Sequence, residues 1–166
     1  ITLLTRYLTL LGDRGYSVYA MITACSTFMS FSYLTAAPFV FVRLFHFSPL
    51  HFSMLFGVMS VFMIGASQVN GLLVGRVDPG RLLYGAVVMS VVGTVLMVGV
   101  GLWGGWYASS SFREYEVWLI IATLVLALAP TGMIFPNAMM MALADHPAQA
   151  GAASALAGTL QYVLGA

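Results

Sequence analysis

Five long stretches of this chain, residues 15–42, 44–75, 82–112, 117–144 and 146–166, contain no Asp, Glu, Lys or Arg at all. Each is at least as long as the ~20 apolar residues with which an α-helix crosses a hydrocarbon layer. In lipid every peptide group must be paired inside the structure, so stretches of this length are expected as helices packed on one another. A transmembrane barrel is excluded because period-two alternation is missing. The expected fold class is therefore all-α and integral to the membrane, with spans at about 16–42, 50–75, 82–106, 117–144 and 148–166. Composition agrees: 61% of the residues are hydrophobic and 7% charged, against roughly a quarter charged in a soluble domain.

The breaks between the spans carry turn chemistry. Ser48-Pro49, Val77-Asp78-Pro79-Gly80 and Asp145-His146-Pro147 are helix stops or starts, and residues 109–116 read as a polar loop. Residues 1–15 differ from the rest. Ile1, Leu4, Leu8 and Leu11 oppose Arg6, which predicts a short amphipathic lead-in helix at the membrane surface, closed by the turn Gly12-Asp13-Arg14-Gly15. Five crossings place Arg6, Arg14, Arg76 and Arg81 on one side and Arg43 and Arg113 on the other, so the positive-inside rule makes the first side cytoplasmic. The chain ends in an apolar run, and is expected to be a piece of a longer protein.

The stretch Gly71-Leu-Leu-Val-Gly-Arg-Val-Asp-Pro-Gly-Arg81 concentrates charge between two apolar runs. It resembles the loop motif of the major facilitator superfamily, with Gly71, Leu73, Arg76, Gly80 and Arg81 matching. It departs where Gly75 stands in place of the family's helix-end Asp, and where Val77-Asp78-Pro79 replaces a single residue. Further stretches, Ala36–Val42 with Phe47–Phe52, Pro136-Asn-Ala-Met139, and Ala150–Gln161, look like the second half of bicyclomycin-resistance (Bcr/CflA) type drug:proton antiporters. That resemblance implies a twelve-helix protein of the bacterial inner membrane, of which this chain supplies the seventh to eleventh helices. It implies proton-driven efflux of small amphiphilic drugs, and the missing N-terminal half as partner. Another major-facilitator porter, for a sugar, organic acid or metabolite, is the alternative.

Several residues within the spans stand out. Thr23, Ser26, Ser30 and Tyr33 recur at spacings of three, four and three, a polar stripe with Phe28, Phe31 and Phe39 nearby. A cavity for varied amphiphiles needs such a wall, mostly apolar with a few hydrogen-bonding groups. Hydroxyls can also satisfy themselves on their own helix. Ser30 and Tyr33 are candidate cavity residues, as are Asn137 and Gln161, whose amides are costly to leave unpaired in hydrocarbon. Ser154 and Gly158 belong to a small-residue face on which another helix can pack. Pro130 and Pro136 each remove a backbone donor, predicting a bent or unwound helix that serves as a hinge or as a static kink. Ser67, Gln68 and Asn70 lie near a span end, where interfacial water solvates them.

Other chemistry is not expected. Gly99-Val-Gly-Leu-Trp-Gly104 has the letters of a nucleotide-binding loop but lies inside an apolar span, where it reads as a helix-packing run. His46 and His51 lack partners at ligand spacing, so no metal is expected and no cofactor. Histidine and aspartate occur only at the loops, so no Ser/His/Asp set forms at membrane depth and no enzyme is expected. A net charge of +1 without any lysine is no nucleic-acid footprint. Proton coupling needs a titratable group within the membrane, and none lies well inside these spans, which places it outside this chain.

Overall fold

The computed structural model describes residues 3–106 and 110–165, with side chains described for 5–104 and 115–165. Among them only helices and their connections occur: α1 (Leu3–Gly12), α2 (Arg14–Ala37), α3 (Pro49–Leu73), α4 (Pro79–Trp106), α5 (Ser110–Leu128), α6 (Thr131–Ala144) and α7 (Ala150–Gly165). Four helical stretches are long and apolar enough to cross a membrane: Arg14–Leu44, Pro49–Leu73, Pro79–Gly104 and Tyr115–Ala144. The last helix, α7, has 16 described residues, a length of about 24 Å.

Local chemistry explains the helix ends. Asp13 caps α2 by accepting from the Gly15 and Tyr16 N–H groups. The Ser48 hydroxyl oxygen accepts from the His51 N–H, with Pro49 as the first residue of α3. Asp78 does the same for α4 through the Arg81 N–H, again with a leading proline. Capping oxygens satisfy donors that the helix leaves open, and proline fits its first turn because no N–H is needed there.

The first span continues past α2 as a π-helical segment, Pro38–Leu44. Pro38 has no N–H to offer the carbonyl one turn earlier, and its ring crowds that carbonyl. The chain answers with wider rings: the Phe45 N–H reaches the Val40 carbonyl at 3.1 Å and the Phe47 N–H the Phe41 carbonyl at 2.9 Å. Phe41, nearly fully buried, anchors the segment against Phe45 and Phe47. The segment 117–144 is two helices, interrupted at Ala129-Pro130, as its prolines predict. The expected polar loop at 109–116 is corrected: Ser110–Glu116 already belongs to α5. No Pro or Gly stands there to end a helix, and Arg and Glu sustain one in water. Residues 107–109 lie outside the described ones.

Packing is organised by α2 and α6. Leu10, Tyr16, Ala20, Ala142, Ala153, Leu156 and Ala157 join α1, α2, α6 and α7. Ala37, Phe41, Leu55, Met59, Leu124 and Leu128 join the first span to α3 and α5. Leu83, Ala86, Ile134 and Ala138 join α4 to α6. Alanine recurs because helices in lipid gain by close backbone approach rather than by hiding from water. Glycine does the same at two crossings. A Cβ on Gly93 would collide with the Ala127 backbone, and one on Gly132 with the Met63 carbonyl oxygen. Large apolar side chains cover the outside instead, among them Leu72, Val95, Trp118 and Val163. An apolar exterior of this extent is matched to lipid, since soluble monomers rarely expose large contiguous apolar surface.

Candidate functional site

Two of the four polar candidates meet in one hollow. Ser30 of α2 and Gln161 of α7 line a cavity of about 230 Å³ together with Thr23, Thr27, Thr131 and Phe135. The Phe31 and Tyr162 rings, 6.4 Å apart, form an aromatic side of it. The helical repeat brings Thr23, Thr27 and Ser30 to one face of α2, and the close packing of α2 on α6 and α7 completes the wall. The Ser30 hydroxyl donates to the Ser26 carbonyl at 3.1 Å and Thr27 to the Thr23 carbonyl at 3.0 Å.

Tyr33 faces elsewhere. It lines a larger, mostly apolar hollow of about 580 Å³ between α2, the π-helical segment, α4 and α5. Its ring stacks on Phe56 at 6.3 Å, and its hydroxyl is buried without a hydrogen-bond partner among the described residues. Three residues along a helix turn a side chain by ~300°, so Tyr33 stands only ~60° round α2 from Ser30, and the border between the two hollows runs between these neighbours.

Asn137 lines neither hollow. It is fully buried, and its amide nitrogen donates to the Asn70 side-chain oxygen at 2.5 Å and to the Met133 carbonyl at 2.8 Å. Asn70 is 4% exposed, which corrects its assignment to interfacial water: its oxygen is paired across the α3–α6 contact. Ser67 and Gln68 are exposed as expected. Asparagine in an apolar run is the signal that could have found this pair, since each amide needs a partner at such a depth.

The small-residue face of α7 is displaced from the expected one. Ala153, Leu156, Ala157 and Gly165 are buried, whereas Ser154 is exposed and a Cβ on Gly158 would meet open space. Within this chain Ser154 and Gly158 therefore make no close helix contact. Gly99 and Gly101 are equally open, whereas a Cβ on Gly104, the end of the expected glycine packing run, would fall on the Glu116 carboxylate of α5. Closest to a neighbouring backbone are Gly93, beside Ser90, whose hydroxyl donates to the Ala127 carbonyl at 2.7 Å, and Gly132, while Gly165 packs against Thr27 and Phe28 of α2. Pro130 sits at the α5–α6 break, where the Thr131 hydroxyl donates to the Leu128 carbonyl at 2.7 Å; Pro136 lies inside α6.

The loop motif connects α3 and α4. Arg76 and Arg81 are exposed, a Cβ on Gly71 would touch nothing, and one on Gly80 would press on the capping Asp78 carboxylate at 3.0 Å. Met141 of α6 lies near Gly80, so this loop shares an end of the bundle with the α6–α7 connection. A second contact at that end is illegible in the sequence. Asp13 pairs with His146 at 2.9 Å, Tyr16 meets the imidazole edge-on at 6.1 Å, and the Tyr16 hydroxyl donates to the Ala153 carbonyl at 2.7 Å. The N–H groups of Gly15 and Tyr16 hold the Asp13 carboxyl below the ordinary carboxylate range, and His146 adds to this. Among the described residues no three His, Cys, Asp or Glu side chains converge as a metal site.

No protein-family model matches the chain, and no solved structure does. It is similar to an uncharacterized MFS-type transporter, YdgK, of Bacillus subtilis, with 27% identity over 157 residues. The match covers 95% of this chain and 37% of that protein, so the chain spans well under half the length of its relative. Taken with the four apolar helices and the all-helical packing, this similarity identifies the fold as a part of the multi-pass, membrane-spanning fold of major facilitator transporters.

Proposed function

We propose that the chain is part of a transporter that carries small solutes across a bacterial inner membrane by alternating access, supplying the seventh to eleventh of twelve helices. One observation carries this: the similarity to an MFS-type transporter along 95% of the chain. The cargo we propose is a drug-like amphiphile exchanged for protons. The Ser30–Gln161 hollow supports it, because hydroxyls and an amide there face aromatic rings, the mixture such a cargo needs. The five-span arrangement, with residues 1–15 as an interfacial lead-in, belongs to the same proposal. So do the roles of Pro130 and Pro136 as a hinge and of Arg76 and Arg81 as cytoplasmic anchors. Ser154 and Gly158, open within this chain, would then meet helices of the other half, which also supplies the coupling carboxylate. A porter for a sugar, organic acid or metabolite shares the same relative, whose name specifies no cargo.

The full-length parent, reconstituted in liposomes with an imposed proton gradient, decides between them. Gradient-dependent movement of a fluorescent amphiphilic dye is expected. Dye movement indifferent to the gradient removes proton coupling. A static dye with uptake of a radiolabelled sugar or organic acid replaces the drug cargo, and no solute movement at all overturns the transport proposal.

A further inference from the structure

Four hydroxyls around the Ser30–Gln161 hollow share a property that constrains its ligand, while Ser26, Tyr162 and the Gln161 amide, which also line it, keep donors of their own. Thr23 donates to the Ala20 carbonyl at 2.7 Å, Thr27 to Thr23 at 3.0 Å, Ser30 to Ser26 at 3.1 Å and Thr131 to Leu128 at 2.7 Å. A carbonyl oxygen only accepts, so in each pair the hydroxyl has committed its single proton and keeps lone pairs alone. Thr23 and Thr131 are buried, while Thr27 and Ser30 are half-buried and reach the hollow. A neighbouring hollow of about 290 Å³, sharing Phe31, continues along α2 and repeats the pattern: Thr35 donates to the Phe31 carbonyl at 2.9 Å. No Asp, Glu, Lys or Arg lines either space.

We propose that this pair of hollows selects an uncharged amphiphile whose polar head donates hydrogen bonds through N–H or O–H groups to Thr27 and Ser30. Its apolar part lies against Phe31, Phe135 and Tyr162. An anionic head would be desolvated without a cationic side chain beside it, since no Arg lines either hollow. An ammonium would be desolvated without a counter-ion, which low dielectric makes expensive. A neutral head that donates to Thr27 and Ser30 and accepts from the Gln161 amide, as a secondary amide does, matches the wall without bringing in a charge. The inference rests on the transport proposal for this same site and narrows its cargo.

The test uses the full-length parent in nanodiscs and two tritiated probes, a secondary alkyl benzylamide and its N-methylated counterpart, with benzylammonium as a third. The secondary amide is expected to bind about five- to tenfold more tightly than the N-methyl amide, the worth of the one hydrogen bond its single N–H can donate. In the double variant Thr27→Val, Ser30→Ala that preference disappears while N-methyl amide binding is unchanged. Equal binding of the two amides by the wild type, equal weakening of both in the variant, or tighter binding of benzylammonium than of the secondary amide overturns the inference. Flux in liposomes separates the two claims. Preference without gradient-driven flux overturns transport alone, and flux without preference overturns donor selection alone.

Discussion

Replacing Gly132 by Ala tests whether the α3–α6 crossing is set by backbone contact. The new Cβ would fall on the Met63 carbonyl oxygen and lie 3.2 Å from the Ser67 nitrogen. Both are main-chain atoms and have no rotamer to escape into. The two helices must therefore part by roughly 1 Å to recover ordinary van der Waals separation. Overpacking of this kind costs about 1–3 kcal/mol. Separation also stretches the 2.5 Å bond between Asn137 and Asn70, worth about 0.6 kcal/mol for a polar pair in a membrane. Alanine returns up to about 1 kcal/mol through its better helix propensity. The steric term wins, leaving a net loss of about 0.5–2.5 kcal/mol. Gly99→Ala is the control, because a Cβ there meets nothing within 4 Å and only the propensity gain applies. The assay is the half-life of monodisperse full-length parent in detergent at elevated temperature, a rate being the proper measure when unfolding is irreversible. The Gly132 variant should decay severalfold faster than wild type and the Gly99 variant no faster. A Gly132 variant as long-lived as wild type, or a Gly99 variant equally impaired, refutes the reasoning.

Asn70→Leu and Asn137→Leu should each destabilise by about 1–3 kcal/mol, because either removes the cross-helix partner of a buried amide, although Asn137 keeps its bond to the Met133 carbonyl, while the double variant loses less than the sum; additive losses in the same decay assay would show no coupling. Asp13→Asn should remove an acid-sensitive contribution to stability. Backbone N–H groups hold its carboxyl below the ordinary carboxylate range in the fold, so the contribution is present above that ordinary range and lost as pH falls through the lower folded value. Decay rates from pH 6 down to pH 3 should accelerate less steeply in the variant, and parallel profiles would count against the cap. Pro130→Ala with Pro136→Ala should lower transport turnover more than membrane insertion, as measured by flux and by the amount of folded protein in the membrane. Equal loss of both would favour a static kink. Tags beside Arg43 and Arg76 should report from opposite compartments, and a shared compartment would break the threading.

Charge spacing alone determined the solvent and the helical class, since only internally bonded helices satisfy a backbone through runs of this length. The capping of α3 and α4 was equally local, because Ser48-Pro49 and Asp78-Pro79 act on donors within one turn. The Ser30–Gln161 hollow was half legible: the stripe on α2 follows from helical periodicity, but its opposing wall comes from α6 and α7. Tertiary structure decided everything that depends on which faces meet. On α7, alanine, serine and glycine line more than one face, so spacing allowed the Ser154–Gly158 face as readily as the Ala153–Ala157 face that packs. Asn70 and Asn137 are 67 positions apart and Asp13 and His146 are 133 apart. No local rule pairs them; they meet because Gly132 lets α6 touch the α3 backbone and because Tyr16 ties α2 to the start of α7.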